Sequence, residues 1–318
     1  MKEIMNMKKL NVTLAILVAA VMAGNAQSNS TVPVGYQVQS FDAGNTIHTV
    51  TFVKPHLFQG LASSKTASSL VVSSATFGDY GLVDGFPTHY VKILDGPLTG
   101  YVFDVISNTA TSIVVDGSLA TAGTTPRFLF RQHIRLADVF ATSTGLSDGS
   151  DTFTLFNSDG SSTVALRAAG DSPTGWLNVV TEAPMNPVIY PNQGFLLTTV
   201  NSGTFTVADT VESTPTVVPL YAGAVNLVSR SNPSSGNLSP IELGIGNNMS
   251  AGSDTVEWLS NTGSLASLDV GLYAGTDGFV NVVTEAQTAS TVGSNTVLNV
   301  TVVQDTTFTA PAPYNINN

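Results

Sequence analysis

Apolar and polar residues alternate with a period of two through much of the chain, a pattern typical of β-strands. In Thr46–Val53 both sets of alternating positions are partly apolar, so we expect this strand to be covered on both faces. Asp-Gly pairs separate several alternating segments, as turns that need a positive φ angle require. The N-terminal strands are predicted at Val32–Val38, Thr46–Val53, Leu70–Ala75, His89–Leu94, Tyr101–Ile106 and Ser112–Val115. Their close spacing indicates a small β-sandwich or barrel.

The segment Arg127–Gly145 departs from this alternation. Ile134, Val139 and Phe140 recur there at nearly helical spacing. We therefore predict one short helix near 133–141, which would cover one end of a β core.

A nine-residue strand occurs twice, as Gly175–Ala183 and again 103 residues later as Gly278–Ala286. The surrounding stretches 149–183 and 252–286 align without gaps and share 13 identities in 35 positions. The same offset reaches two Thr-Phe-Thr segments, Thr204–Thr206 and Thr307–Thr309. This agreement predicts a pair of duplicated β units.

The predicted fold is all-β. It has an N-terminal small β-sandwich or barrel, two duplicated β units at an offset of 103 residues, and the short helix. The predicted boundaries are a signal peptide at 1–26, an N-terminal β domain at 27–130, a first repeat unit with the helix at 131–215 and a second repeat unit at 216–318.

Residues 1–26 have the features of a secretory signal peptide. Three lysines lie within the first nine residues, the apolar run Leu10–Ala23 follows, and Gly24-Asn25-Ala26 supplies small residues for cleavage after Ala26. The apolar run has about 14 residues, fewer than the ~20 that a membrane-spanning helix needs. We expect a secreted protein, extracellular or on the outer cell surface, with the periplasm as the alternative, and no transmembrane span after cleavage.

The expected mature chain is strongly acidic. Removing residues 1–26 leaves 8 basic and 21 acidic residues, and no Lys or Arg follows Arg230. Nucleic-acid binding needs basic patches, so this charge argues against it. The chain has no cysteine, which excludes thiol catalysis and cysteine metal sites.

Several motifs, in this order and spacing, resemble an uncharacterised paralogous family of secreted β-rich proteins from verrucomicrobial and related bacteria. The motifs are Val34-Gly35-Tyr36, Arg131, Leu136-Ala137-Asp138-Val139-Phe140, Gly175-Trp176 and Pro191-Asn192-Gln193-Gly194-Phe195-Leu196-Leu197. The family's usual Thr-Leu-Ala-Asp-Leu-Phe appears here as Arg135–Phe140, a mild departure. The resemblance implies export and a β architecture, and it implies no catalytic residues.

The sequence contains no convincing catalytic motif. Its histidines, His48, His56, His89 and His133, lack the spacing of a metal-binding helix, although a site formed by the first two stays open. Gly170-Asp171-Ser172 resembles an esterase nucleophile motif, but no histidine follows it to act as the base. We interpret the motif as a turn and the protein as a non-enzyme.

Acidic residues near the start of each repeat could supply oxygen ligands for calcium. They are Asp148, Asp151 and Asp159 in the first repeat and Asp254 and Glu257 in the second. Asx turns explain the same residues without a cation. We therefore expect no cofactor, with calcium as the open alternative.

Aromatic side chains are the remaining candidates for ligand contact. Trp176, Trp258 and Tyr273, together with Tyr190 and Tyr221, could form a stacking platform for sugar rings. Core packing is the competing interpretation, because Phe279 replaces Trp176 in the second repeat.

We predict a non-enzymatic cell-surface or extracellular structural protein that associates with itself or with other cell-surface components. The extended segments Gln27–Val38 and Ala310–Tyr314 could pair with a neighbour's sheet edge. The alternative is a carbohydrate-binding or adhesive module that binds polysaccharide through the repeat faces.

Overall fold

The computed structural model describes residues 33–229, 245, 248–259, 267–275, 278–284 and 296–310. The predicted signal peptide and the segment after Ala310 lie outside these residues. Within them the chain is all-β, as predicted, with antiparallel sheets and one α-helical turn.

The secondary-structure elements follow one another closely along the described chain. The strands are β1 Val34–Phe41, β2 Gly44–Thr49, β3 Phe52–Val53, β4 His56–Leu61, β5 Ser64–Lys65, β6 Ser69–Val71, β7 Leu82–Val83, β8 Phe86–Pro87, β9 His89–Ile93, β10 Val102–Asn108, β11 Ser112–Val115, β12 Arg127–Gln132, β13 Ile134–Arg135, β14 Thr152–Phe156, β15 Ser162–Arg167, β16 Trp176–Asn178, β17 Val188–Ile189, β18 Gly194–Thr199, β19 Gly203–Val211, β20 Thr216–Leu220, β21 Asn226–Val228, β22 Thr255–Leu259, β23 Ser267–Tyr273, β24 Phe279–Asn281, β25 Val297–Thr301 and β26 Thr306–Ala310. The helices are α1 Leu136–Val139 and a 3-10 turn at Gly96–Leu98.

The first unit, residues 34–53 and 134–211, contains a five-stranded sheet in the order β16-β15-β14-β18-β2 and a three-stranded sheet in the order β1-β19-β3. Strands β1 and β2 thus pair with β19 and β18. This pairing differs from the predicted division at residue 130, because the hydrogen-bonding partners of these N-terminal strands lie in the first repeat.

The described strands of the second unit, within residues 216–310, repeat the five-stranded sheet and the β1-β19 pair of the first unit, and β3 has no counterpart among them. The five-stranded sheet of the second unit has the order β24-β23-β22-β25-β21, and β20 pairs with β26 as β1 pairs with β19. An origin by duplication stays a prediction, and the common strand order is what such an origin would produce.

The uniform offset of 103 residues fails in one strand of this sheet. In the first unit Ala165 pairs with Phe153 on one side and with Asn178 on the other. Val256 is the counterpart of Phe153 in the second unit, and its partner is Gly271. Gly271 follows Ala165 by 106 residues, and it pairs with the counterpart of Asn178. The second unit therefore has three more residues before this strand and three fewer after it, which a gapless alignment cannot represent.

The insert sheet, residues 56–132, separates the two parts of the first unit. Its order is β4-β12-β9-β10-β11-β6-β5, and β10 carries a register shift between Val105 and Ser107. Leu70 and Ile113 from one half meet Phe128 in a single apolar cluster. The sheet thus folds over itself around its own core.

Helix α1 is shorter than the predicted helix near 133–141, because His133 precedes β13 and Ile134–Arg135 pairs with Val188–Ile189. The Asp138 carboxylate accepts the backbone N–H of Arg135 at 3.1 Å and closes the first turn. Phe140, directly after the helix, packs against Trp176 with ring centroids 5.4 Å apart. The turn therefore covers one end of the first unit's core.

Candidate functional site

A cleft of about 530 Å³ lies where the insert sheet, the first unit and the second unit meet. This volume is in the usual range of small-molecule sites. The insert sheet contributes Asp104 and Asp116, the first unit contributes Tyr190 and Gln193, and the second unit contributes Tyr221. All three parts of the chain are needed to form the cleft.

One wall is fixed by a hydrogen-bonded chain of three side chains. The Tyr190 hydroxyl donates to Asp104 Oδ2 at 2.5 Å, and His133 Nε2 lies 3.0 Å from Asp104 Oδ1. His133 is fully buried, and its ring meets that of Tyr190 edge-on with centroids 5.3 Å apart. The phenol is therefore held in one orientation while 37% of Tyr190 stays exposed.

The ionisation of this chain favours neutral rings beside a carboxylate. Burial lowers the pKa of His133 below its usual value, although the hydrogen bond and charge of Asp104 oppose the shift. Burial raises the pKa of Tyr190, and the neighbouring Asp104 raises it further. The phenol thus stays protonated near neutral pH and keeps donating to the carboxylate.

The loop that presents Tyr190 is held tightly. Gln193 donates its backbone N–H to the Tyr190 carbonyl at 3.0 Å, and its side-chain oxygen accepts the Tyr190 N–H at 3.1 Å. Between them Asn192 adopts a φ of 67°, a left-handed conformation uncommon outside glycine. Gly194 ends the loop, and a Cβ there would meet Leu227 at 2.9 Å. Glycine thus allows the second unit to approach closely.

A buried ion network fixes the second unit's side of the cleft. Glu212 Oε2 lies 3.0 Å from Arg131 Nη1 and 3.1 Å from Lys92 Nζ. Lys92 also donates to Thr216 Oγ1 at 2.7 Å, at the first residue of β20. Burial alone would raise the pKa of Glu212, but Lys92 and Arg131 hold it below its ordinary range. The network joins the insert sheet to the strand that borders the cleft.

The cleft presents polar groups without a positively charged side chain. No Lys or Arg is among its described lining residues. Among those residues, the carboxylate of Asp116, the hydroxyl of Tyr221 and the side-chain N–H groups of Gln193 make no hydrogen bond to another described residue. The arrangement suits a polar ligand that is not an anion.

Trp176 and Trp258, considered as stacking candidates, pack inside the two cores, in line with the competing interpretation from sequence. Their exposed fractions are 0% and 2%, so neither indole face is available to a sugar ring. Tyr273 is half-buried against the second core and packs on Phe279 with ring centroids 5.4 Å apart. Of the aromatic candidates, only Tyr190 and Tyr221 are brought together at the cleft.

Four of the five predicted calcium-ligand carboxylates accept backbone N–H groups, and the fifth, that of Glu257, accepts the Asn299 side chain. Asp151 is buried and accepts the N–H groups of Ser147 at 2.7 Å and Val200 at 2.9 Å. Asp159 accepts the backbone N–H of Ser161 at 2.9 Å in an Asx turn. Among the described residues no group of three His, Asp or Glu side chains is placed to hold a metal ion.

The esterase-like segment is a turn, as interpreted from sequence. The Ser172 hydroxyl donates to the Trp176 carbonyl at 2.9 Å and is buried. The two histidines considered for a metal site have different surroundings. His48 contacts Gln39 and Thr46 in the first unit's core, whereas His56 is half-buried on the edge strand β4.

Sequence reasoning missed Asp104, and it assigned no role to His133 or Gln193. Asp104 and Tyr190 are 86 positions apart, and no spacing rule connects them. A weak signal was present, because Asp104 interrupts the apolar strand Tyr101–Ile106. A carboxylate in such a strand requires a partner or a solvent-exposed cleft.

A separate surface feature is the strand β1, at the edge of its sheet among the described residues. Val34 and Tyr36 are each 76% exposed and Val38 is 53% exposed, so three successive outward positions are apolar. We call these three side chains the β1 stripe.

The repeated strand also presents apolar residues to solvent. Asn178 Oδ1 accepts the N–H groups of Val180 and Thr181, and Asn281 Oδ1 does the same in the second unit. The turn after each strand thereby exposes a pair of valines, Val179-Val180 and Val282-Val283. The two asparagines thus bond to the backbone of the turn that follows each strand.

No family profile, curated protein or solved structure is significantly similar to this chain. The resemblance to the verrucomicrobial secreted proteins therefore stays a prediction. No helix among the described residues is long and apolar enough to cross a membrane.

Proposed function

We propose that the protein is an exported, non-enzymatic building block of the outer cell surface or extracellular space, and that it assembles through strand β1. The observation that carries this proposal is the β1 stripe. The eight-residue strand β1 borders its sheet among the described residues, and it exposes the apolar side chains of Val34, Tyr36 and Val38.

The proposed contact is addition of a strand from another copy or from another cell-surface component. All eight β1 residues, from Val34 to Phe41, pair with β19 along one edge. The pairing fixes which β1 backbone groups point to the outer edge, where a further strand would bind. Apolar side chains of the incoming strand would then cover the β1 stripe.

Another edge strand, β4, is a weaker candidate for the same contact. It exposes Leu57 and Leu61, but Gln59 lies between them. Its pairing with β12 also shifts register between Phe130 and Arg131, and such irregularities oppose edge-to-edge pairing. The regular β1 edge therefore fits association better.

Sedimentation velocity of the mature chain over a wide concentration range tests the proposal. We expect reversible oligomers in the wild type and a shift to monomer in Tyr36→Lys, because a charge would be buried in the contact. Val180→Lys is the matched control, since Val180 is 88% exposed and lies outside β1. A wild type that stays monomeric at high concentration, or a Tyr36→Lys variant that assembles normally, contradicts the proposal.

A further inference from the structure

We propose that the three-part cleft binds a short neutral oligosaccharide. The cleft lies in a different place from the β1 stripe and uses different residues, so this proposal does not depend on assembly. It rests on the shape, charge and hydrogen-bonding groups of the cleft.

The aromatic side chains give the cleft its selectivity for rings. Tyr190 is fixed by its 2.5 Å bond to Asp104, and Tyr221 borders the cleft from the second unit. A tyrosine that is already immobilised loses little conformational entropy when a ligand packs against it. The C–H face of a pyranose ring is apolar and suits such a contact, while its hydroxyls stay free for polar partners.

The polar groups match a ligand whose hydroxyls both donate and accept. The Asp116 carboxylate can accept from sugar hydroxyls, and the Gln193 amide can donate to them. The Tyr221 hydroxyl can do either. A site built from a few such placed groups on a partly apolar surface is typical of small-ligand binding.

Charge excludes one class of saccharide. Asp104 and Asp116 are both part of the lining, and the backbone N–H of Asp116 donates to the Asp104 carbonyl at 2.8 Å, which places the two residues side by side. With no Lys or Arg among the described lining residues, an acidic sugar would meet repulsion without compensation. The cleft therefore favours a neutral saccharide and disfavours one that contains uronic acids.

The backbone around the site is consistent with a prebuilt cleft. Asn192 is fully buried and has a φ of 67°, and its side-chain nitrogen and oxygen have no hydrogen-bond partner within the described part of the chain. Strained residues of this kind persist where their surroundings fix them, and they cluster at ligand sites. Here Asn192 lies between Tyr190 and Gln193, which both line the cleft.

Isothermal titration of the full mature chain with defined hexasaccharides tests the proposal. The neutral panel is cellohexaose, xylohexaose, mannohexaose and laminarihexaose, with hexagalacturonate as the anionic probe and a chitosan hexamer as the cationic probe. We expect at least one neutral hexasaccharide to bind with a Kd of roughly 1 mM or tighter. Hexagalacturonate should not bind.

Substitutions in the cleft test whether its residues bind the saccharide. Tyr221→Ala should weaken it by about tenfold or more, which corresponds to about 1.4 kcal/mol. Asp116→Asn removes an exposed charge without altering the shape, so it tests the site even if Tyr221→Ala fails to fold. We expect it to weaken neutral-sugar binding several-fold.

Tyr36→Ala is the matched control, because Tyr36 is exposed and lies in the β1 stripe. Tyr36→Ala should leave sugar binding unchanged and weaken assembly. Tyr221→Ala should weaken sugar binding and leave assembly unchanged. The saccharide proposal is overturned if no neutral hexasaccharide binds, if only the chitosan hexamer binds, or if both cleft variants bind like the wild type.

Discussion

The two units have the same strand order but different cores. In the first unit Leu155 and Trp176 occupy the positions that Trp258 and Phe279 occupy in the second. The large indole thus lies on the edge strand β16 in the first unit and on β22, the counterpart of the central strand β14, in the second. The comparison shows that the pattern of buried positions is retained while the individual side chains that fill them are exchanged.

The hydrogen bonds around the cores changed much less. Asp254 accepts the N–H groups of Ser250 at 2.6 Å and Val303 at 2.9 Å. Asp151 makes the corresponding bonds in the first unit. Buried backbone groups must be paired, so a carboxylate that pairs two of them has no apolar substitute. We therefore expect the two carboxylates to tolerate substitution less well than the apolar side chains of the cores.

Asp151→Ala and Asp254→Ala should cause the largest losses of stability, and the two losses should be equal. Each change leaves two backbone N–H groups unpaired beside a core, which should reduce the free energy of unfolding by about 3 kcal/mol. Chemical denaturation measures this loss. Asp159→Ala, at an exposed turn, is the control and should cost well under about 1 kcal/mol.

The two tryptophans allow each unit to be followed separately, since Trp176 lies in the first core and Trp258 in the second. Trp176→Phe and Trp258→Phe backgrounds each leave one fluorescent reporter. Ile47, Leu227 and Val297 form a further cluster between the units, so both reporters should show one common transition. If the Trp176 and Trp258 reporters showed separate unfolding transitions in the Asp254→Ala variant, the two units would not unfold together.

Gly271→Ala should destabilise the second unit by about 2 kcal/mol through overpacking. An added Cβ would lie 3.1 Å from the Phe279 side chain and 3.2 Å from the Trp258 ring. The first unit has Ala165 at this position, and Leu155 there takes the place of Trp258.

A double-mutant cycle sharpens that prediction. The double variant Gly271→Ala/Trp258→Leu has an alanine beside a leucine, as Ala165 and Leu155 are in the first unit. Its loss of stability should therefore be smaller than the sum of the losses in the two single variants. Gly170→Ala is the control, since a Cβ there meets no atom within 4 Å. Additive losses in the cycle would show that Trp258 is not the reason for the glycine.

His48 marks a difference in pH dependence between the units. It pairs with Phe195, and the corresponding strand pair in the second unit has Val228 opposite Leu298. Burial lowers the pKa of His48 to about 4. The unfolded chain therefore binds a proton more readily than the folded one, and stability falls as pH drops from the ordinary value near 6.5 towards 4.

His48→Val should remove about 1 kcal/mol of the stability loss between pH 7 and pH 5.5. Denaturation at the two pH values measures this difference, and the slope is informative even if the variant is less stable overall. His56→Gln, at a half-buried position, is the comparison variant. An unchanged slope in His48→Val would show that the buried ring does not titrate as described.

Strand periodicity and the Gly-aromatic repeat were sufficient to predict the all-β fold. Local pattern could not show that β1 and β2 belong with β19 and β18, because those pairs join segments more than 140 residues apart. The insert sheet between them has strands of its own, so a division by sequence order was the natural interpretation.

The candidate site was less predictable than the fold. Tyr190 and Tyr221 could be named as aromatic candidates from sequence, together with Trp176 and Trp258, for which core packing was the competing interpretation. Burial separates them, and burial depends on which strand face meets the core. Asp104 and His133 act as a pair only after β10 and the end of β12 come together, which no local spacing records.

Amide hydrogen exchange in β1 as a function of protein concentration tests the proposed assembly most directly. We predict that the outward-facing amides between Val34 and Phe41 exchange more slowly as concentration rises, while those of β4 do not change. The Tyr36→Lys variant should lose this protection. Exchange in β1 that is independent of concentration in the wild type would contradict assembly through this strand.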